Sequence, residues 1–270
     1  VLTEEQRRRT LQRFGEHRSA WDQNPTLRVL YADWYGRVAA ALPSRDLGAF
    51  VELGSGPGLA RDFIPGLLLS DVVKAPWHDQ EISAQHLPFA DGTVGALVLF
   101  DVLHHLVDPA AFFTEAERVL ARGGRVVLCE PYLSPLSYPV YRFLHEEPVH
   151  LRVDPLAQRS RGRGGRGDDE RFGGAQDTQD PFDSNQAIPT LLFARPAGRA
   201  AFAARFPCLA VVSVDRLAGP SYAASGGFGH SPLLPAPLWR ALFRLEGRLP
   251  GWSFHLIGFR MLVIVEKRQA

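Results

Sequence analysis

Three glycines at alternate positions, Gly54, Gly56 and Gly58 in VELGSGPGLA (51–60), close the apolar run FVEL. Glycine within a strand or helix costs roughly 0.5–1 kcal/mol relative to alanine, so three together mark a turn where something approaches the backbone closely. A second apolar run, LLLSDVV (67–73), carries Asp71 at its end. A carboxylate there can accept hydrogen bonds from both vicinal hydroxyls of a ribose, one on each oxygen. A different chemistry is offered by His104 and His105 in FDVLHHLVDP (100–109), because imidazole has the intrinsic pKa of a general base. Glu130, Tyr141, His145 and His150 are further candidates to line an acceptor pocket, and Asp101 can bond locally at a strand end. Each has a plainer structural reading: a solvated strand-end carboxylate, or a histidine pair that packs and caps its loop. Neither the histidines nor Cys129 and Cys208 show metal-ligand spacing, so no metal is expected.

The elements that must position these groups are visible in the apolar patterning. FVEL (50–53), LLLSDVV (67–73), ALVLF (96–100) and RVVLCE (125–130) are short, rich in Val and Leu, and nearly continuous. Strands buried on both faces of a parallel sheet have this texture. The glycines then form the turn from the first strand into a first helix, whose amino end adds partial positive charge. Asp108 and Pro109 open another helix, with Phe112, Phe113, Ala116, Val119 and Leu120 at helical spacing and Gly123-Gly124 as its stop. Strand, helix, strand in this order implies a right-handed crossover, with ligands at the carboxyl ends of the strands.

Residues 3–42 read as helices. Residues 131–156 mix prolines, aromatics and histidines, and 157–179 are rich in glycine and charge, the composition of a mobile loop. The arginines of that loop are diluted by Asp168, Asp169 and Glu170, which argues for a solvated segment over an RNA-binding one. A helix near 197–205, a strand at 209–217, a helix near 236–248 and a final strand at 259–267 follow. The chain has 270 residues, 46% hydrophobic, with formal net charge +1. Such balance gives no global field for nucleic acid or anionic membrane. No apolar run reaches the roughly 18 residues of a membrane helix, and the charged opening VLTEEQRRRT precedes no signal-like stretch. A cytoplasmic protein with free, buried thiols is the expectation.

Within 49–131, the words VELGSGPG, AQHLPFADGT and LVLFDVLHHLVDPAAFFTEAERVLARGGRVVLCEP resemble, in order and spacing, the class I S-adenosylmethionine-dependent methyltransferases of the branch with an LPF-x-D-G signature. The resemblance implies an α/β fold: a Rossmann-like, seven-stranded, mostly parallel sheet with helices on both faces and an antiparallel last pair, beneath helical cover segments. It implies one domain over 1–270, with 1–45 as helical cover, 46–131 as the cofactor-binding half, 132–205 as a cover or lid insertion, and 206–270 completing the sheet. S-adenosylmethionine is the implied cofactor. Glu52, Gly54, Ser55, Gly56 and Gly58 would face its methionine part, and Asp71 its ribose. Val72 would flank the adenine, Ser83-Ala84 stand where the family has Asp-Ala at the adenine edge, and Phe100 contribute backbone near the amino group. His104, His105 and His150 are the candidate catalytic residues. The implied activity is methyl transfer to a small molecule, apolar or a secondary metabolite, with oxygen favoured. A non-methylating protein on the same scaffold is the alternative.

The sequence departs from the family at Ser83, at Val94-Gly95 (usually Phe-Asp), and in the short segment 72–86, where Pro76 argues against a helix. A nicotinamide dehydrogenase is disfavoured because Leu59 breaks the G-x-G-x-x-G spacing. Nucleic-acid methylation is disfavoured by the neutral charge and the lack of an Asn/Asp-Pro-Pro-aromatic motif. The aromatics Trp21, Tyr31, Tyr35, Tyr132, Tyr138 and Phe143 could wall an acceptor site, and 157–179 with DPFDSN (180–185) could close over it.

Overall fold

The computed structural model describes residues 2–157 and 183–268. Strands β1 (Ala49–Leu53), β2 (Leu68–Asp71), β3 (Gln80–Glu81), β4 (Val94–Phe100), β5 (Leu120–Pro131), β6 (Leu209–Leu217) and β7 (Arg260–Lys267) form one seven-stranded sheet in the order β3-β2-β1-β4-β5-β7-β6. The first five pair in parallel, and β7 runs antiparallel to both β5 and β6. The fold class is the expected one. The postulated loop at 157–179 falls, from residue 158, outside the described residues.

Successive strand residues point to opposite faces, and the two cores sort accordingly. Val51, Leu53, Leu97, Leu99, Val126 and Leu128 enter one core, with α3 (Pro109–Val119) and α5 (Pro196–Arg205) packed over them. Phe50, Ala96, Val98, Phe100, Val127 and Cys129 enter the other, under α2 (Pro25–Ala41) and Trp239 of α7 (Ala236–Glu246). Phe112 and Phe113 of α3 are fully buried, each contributing roughly 1.5–3 kcal/mol by removal from water.

Three expectations are corrected. First, no α-helix follows the glycine turn: Leu59–Asp62 make a single 3-10 turn before Pro65 and Gly66 interrupt the chain. The sheet face that such a helix would cover is taken by α2, through Leu27, Leu30, Trp34 and Val38. Second, α3 stops at Val119, ahead of the glycine pair, because Leu120 already pairs with Val94 and begins a longer β5. Third, Cys208 is exposed, and only Cys129 is a buried thiol. The segment between β2 and β3 has no helix, as its proline suggested.

The amino-terminal cover is two helices, α1 (Glu4–Gln23) and α2, joined at Asn24. The Asn24 side chain accepts the Thr26 and Leu27 amides at 3.1 and 3.2 Å and donates to the Ser225 carbonyl at 2.9 Å, fixing the bend. Beyond β5 lies α4 (Ser137–Phe143), and α6 (Pro220–Ala224) and α8 (Phe254–Ile257) flank α7 near the start of β7.

Candidate active site

Gly54, Gly56 and Gly58 all adopt left-handed φ, at 69°, 48° and 73°. At Gly54 a Cβ would meet the Val102 side chain at 2.5 Å, and at Gly58 the Trp77 ring at 2.5 Å, so both positions require glycine on two counts. Asp71, at the end of β2, accepts the Gly56 amide at 2.9 Å, which ties the glycine turn to the second strand. Burial raises the Asp71 pKa, and the Gly56 bond opposes that rise. Ser55 donates its amide to the Ser70 carbonyl at 2.9 Å, a second tie between the same two strand ends.

Glu52 lies on the α2 face of β1, by the alternation that puts Phe50 there. Burial pushes its carboxyl up to about 8, against hydrogen bonds from Ser55 and Tyr35, so it is protonated at neutral pH. Its Oε2 is buried without a partner among the described residues. Phe100 is buried under Tyr31, Trp34 and Tyr35 of α2, with ring centroids 5.1, 6.0 and 4.8 Å away. Val72 is half-buried, Ala84 is buried, and Ser83 forms an isolated bridge to His86 beside the end of β3.

The turn is covered. Trp77 Nε1 and His78 Nε2 both donate to the Gly56 carbonyl at 2.8 Å. Phe14 of α1 lies against Gly56, its ring 3.7 Å from where a Cβ would stand, and meets His78 edge to face. Arg18 donates to the Pro57 carbonyl at 2.7 Å and stacks over Trp77. Arg7 pairs with Glu81 at 2.7 Å. Helix α1 therefore lies across the β1 and β2 ends, held largely by polar contacts, with only Thr10, Phe14 and Trp21 buried along its length.

The histidine pair forms a second centre. The β5 alternation turns Glu130 away from the α2 face. Its Oε1 accepts the Val102 and Leu103 amides at 2.9 and 2.7 Å, and its Oε2 takes His104 Nδ1 at 2.7 Å. His104 Nε2 reaches Glu147 at 3.2 Å, and His105 Nε2 lies 3.8 Å from the same carboxylate. Burial alone would lower the His104 pKa, but Glu130 and then Glu147 overcome it and raise it to about 10. His104 is thus an imidazolium between two carboxylates. Burial and the adjacent His104 charge push His105 down to about 4, leaving it neutral. Glu147 would rise through burial, yet the histidines hold it well below the usual carboxylate range.

Asn185 donates its amide to the His104 carbonyl at 2.9 Å, and its side chain accepts the His150 amide and donates to the His150 carbonyl at 2.9 and 3.0 Å. This clamp joins the His150 backbone to the cluster. His145 stands apart, against Tyr141. The ligand atoms of His104, His105 and Glu147 lie within 4.8 Å of one another, a proximity that sequence spacing concealed because Glu147 comes from the cover segment.

Two participants escaped the sequence reading. Glu147 sits among charges in HEEPVH, where an acid between histidines was the available signal. Arg260, the lone charge opening the apolar strand RMLVIV, is fully buried between Trp34, Phe100 and Tyr222, and pairs with Asp101 at 2.5 Å. Asp101 itself has φ 59°, a left-handed conformation rare outside glycine.

One cavity adjoins the glycine turn, and a second lies past the end of β5. The first, of about 230 Å³, lies behind Gly58, between Arg18, Trp21, Arg61 and Trp77. The other, about 400 Å³, lies beyond β5, lined by Tyr132, Leu133, Pro135, Tyr138, Leu151 and Thr190.

Comparison with known proteins places this geometry. A family profile described as a methyltransferase domain matches residues 52–128. A demethylmenaquinone methyltransferase of Streptomyces avermitilis is 29% identical over 124 residues, covering 46% of this chain and 50% of that protein. Another, of Mycolicibacterium vanbaalenii, is 41% identical over 86 residues, covering 30% of this chain and 36% of that protein. The chain thus aligns with half or less of the length of these two relatives. A chain from the complex between the Haloferax volcanii Trm112 methyltransferase activator and a methyltransferase superposes over 100% of both chains, with TM-score 0.50 and 14% identity, a likeness of fold. Residues 52–128, on this seven-stranded sheet, thus match a methyltransferase domain.

Proposed function

We propose that the protein transfers a methyl group from S-adenosylmethionine to a small, largely apolar acceptor, with a hydroxyl oxygen as the favoured atom. The observation that carries this reading is the Gly54–Gly58 turn, left-handed at all three glycines and bonded through Gly56 to Asp71. The residues present fit the cofactor: two glycines sit where a Cβ would collide, Asp71 lies at the neighbouring strand end, and the Oε2 of Glu52 is an orphaned buried polar atom. When bound, the cofactor supplies a methyl group activated on a sulfonium.

The chain's own residues then align, exclude water and handle a proton. Alignment of reacting groups can be worth roughly 7–11 kcal/mol. His104, held charged by Glu130 and Glu147, fixes the loop after β4 and is in the wrong protonation state to accept a proton at neutral pH. His105 is neutral and is the base candidate, through a ring partly open to solvent. The cavity lined by Tyr132, Tyr138 and Leu151 suits a small apolar acceptor. The named activity of the Streptomyces and Mycolicibacterium relatives supports methyl transfer to a small molecule.

A second reading, a non-methylating protein on this scaffold, is favoured by the packing of Phe14, Trp77 and His78 around Gly56. Isothermal titration with S-adenosylmethionine and with S-adenosylhomocysteine separates the two. Saturable binding of either, weakened in Asp71→Asn, supports methyl transfer; binding of neither leaves only the second reading.

A further inference from the structure

Helix α7 turns Trp239 and Glu246 inward. Trp239 stacks on Phe243, and the Glu246 carboxylate accepts Ser221 Oγ at 2.6 Å and the Gly219 amide at 3.2 Å. The outward side carries two stripes. Leu238, Ala241 and Leu245 recur at helical spacing and continue into Leu249, all exposed. Beside them run Arg240, Arg244 and Arg248 in four-residue steps, also exposed.

The apolar row extends past the helix. Trp252 is 67% exposed and Leu256 of α8 is 52% exposed. The Leu136 amide donates to the Leu256 carbonyl at 3.1 Å, which carries the row to the end of β5, and the adjoining Pro135 lines the 400 Å³ cavity. From Ala218 to Gly258 the sequence holds a single acid, Glu246, and that one is buried. The face is therefore apolar and cationic together. Its occupant must offer apolar burial and negative charge, and a second copy of this face would set arginines against arginines.

We infer that the surface from α7 to α8, with Leu136, docks on an anionic phospholipid bilayer. The leucines and Trp252 enter the headgroup–acyl boundary, and the three arginines meet lipid phosphates. The contact is peripheral, since no described helix is long and apolar enough to cross a membrane. It sits at the carboxyl edge of the sheet, beside the cavity, and does not depend on the methyl-transfer reading.

Co-sedimentation of the whole chain with vesicles tests this. Vesicles of phosphatidylcholine mixed with phosphatidylglycerol should bind it, less as salt is raised, and pure phosphatidylcholine should bind it far more weakly. Each arginine near such a surface contributes about fivefold, so R240Q/R244Q/R248Q should weaken binding on the order of a hundredfold. W252S/L256S should abolish it with an unchanged melting temperature, since both side chains are exposed. Tryptophan emission should shift to the blue on binding, and the shift should vanish in W252F. Failure to bind the mixed vesicles, or equal binding to both kinds, overturns the inference. So does self-association in sedimentation velocity that W252S/L256S removes, which would make a second copy the partner.

Discussion

Replacing Glu130 by Gln removes the charge that holds the histidine turn while keeping nearly the same volume. In the structure Glu130 is fully buried, accepts two backbone amides through Oε1, and binds His104 through Oε2. Glutamine can still accept both amides, but its amide nitrogen would face the protonated Nδ1 of His104. Breaking one side of a buried ion pair costs about 3–5 kcal/mol, and the retained amide bonds place Glu130→Gln near the lower end. At about 2–4 °C per kcal/mol for a chain of this size, the melting temperature should fall by roughly 6–12 °C at pH 7.

The pH dependence follows from the raised His104 pKa. A folded-state value of about 10 lies above the unfolded value of 6.5, so the pair's contribution is complete below 6.5 and is lost as pH rises towards 10. The gap between wild type and variant, followed by circular-dichroism melts across that window, should therefore be widest near pH 6.5 and shrink on the alkaline side. Equal melting temperatures at pH 7, or a gap that widens with pH, would refute the imidazolium assignment.

Gly54→Ala must hold a left-handed φ, at about 1–2 kcal/mol, and also displace Val102; it should lower the melting temperature and abolish cofactor binding by titration calorimetry, and retention of both would show that the turn tolerates a side chain. Phe14→Ala should speed S-adenosylmethionine association in stopped-flow fluorescence, because Phe14 covers Gly56; an unchanged rate would mean that α1 does not control access. If His105 is the base, its pKa of about 4 keeps it deprotonated above pH 5. The kcat/KM profile should then show no acid limb between about pH 6 and 8, and His105→Ala should lose about 10²–10⁴-fold in kcat. Full activity in His105→Ala would remove a base from the mechanism.

The sheet was legible because buried parallel strands announce themselves as short apolar runs, and 50–53, 96–100 and 125–130 all became strands. The missing first crossover helix was not: Leu59 to Phe63 has helical composition, and only the packing of α2 on that face shows why one turn suffices. Asp71 and the glycines could be placed because turn chemistry is local. Glu147 and Arg260 could not, because each reaches its partner from a distant segment: Glu147 approaches His104 from the cover, and Arg260 meets Asp101 across the β5–β7 pairing. The aromatics read as an acceptor wall divide, with Tyr31 and Tyr35 packed on Phe100 and Phe143 exposed to solvent.

The decisive measurement is a structure determined with S-adenosylhomocysteine. Ribose oxygens should lie within hydrogen-bond distance of Asp71, the ligand should contact the backbone along Gly54–Gly58, and Phe14 should be displaced from Gly56. A ligand bound elsewhere, or a crevice still filled by Phe14 and Trp77 at saturating ligand, would contradict these expectations.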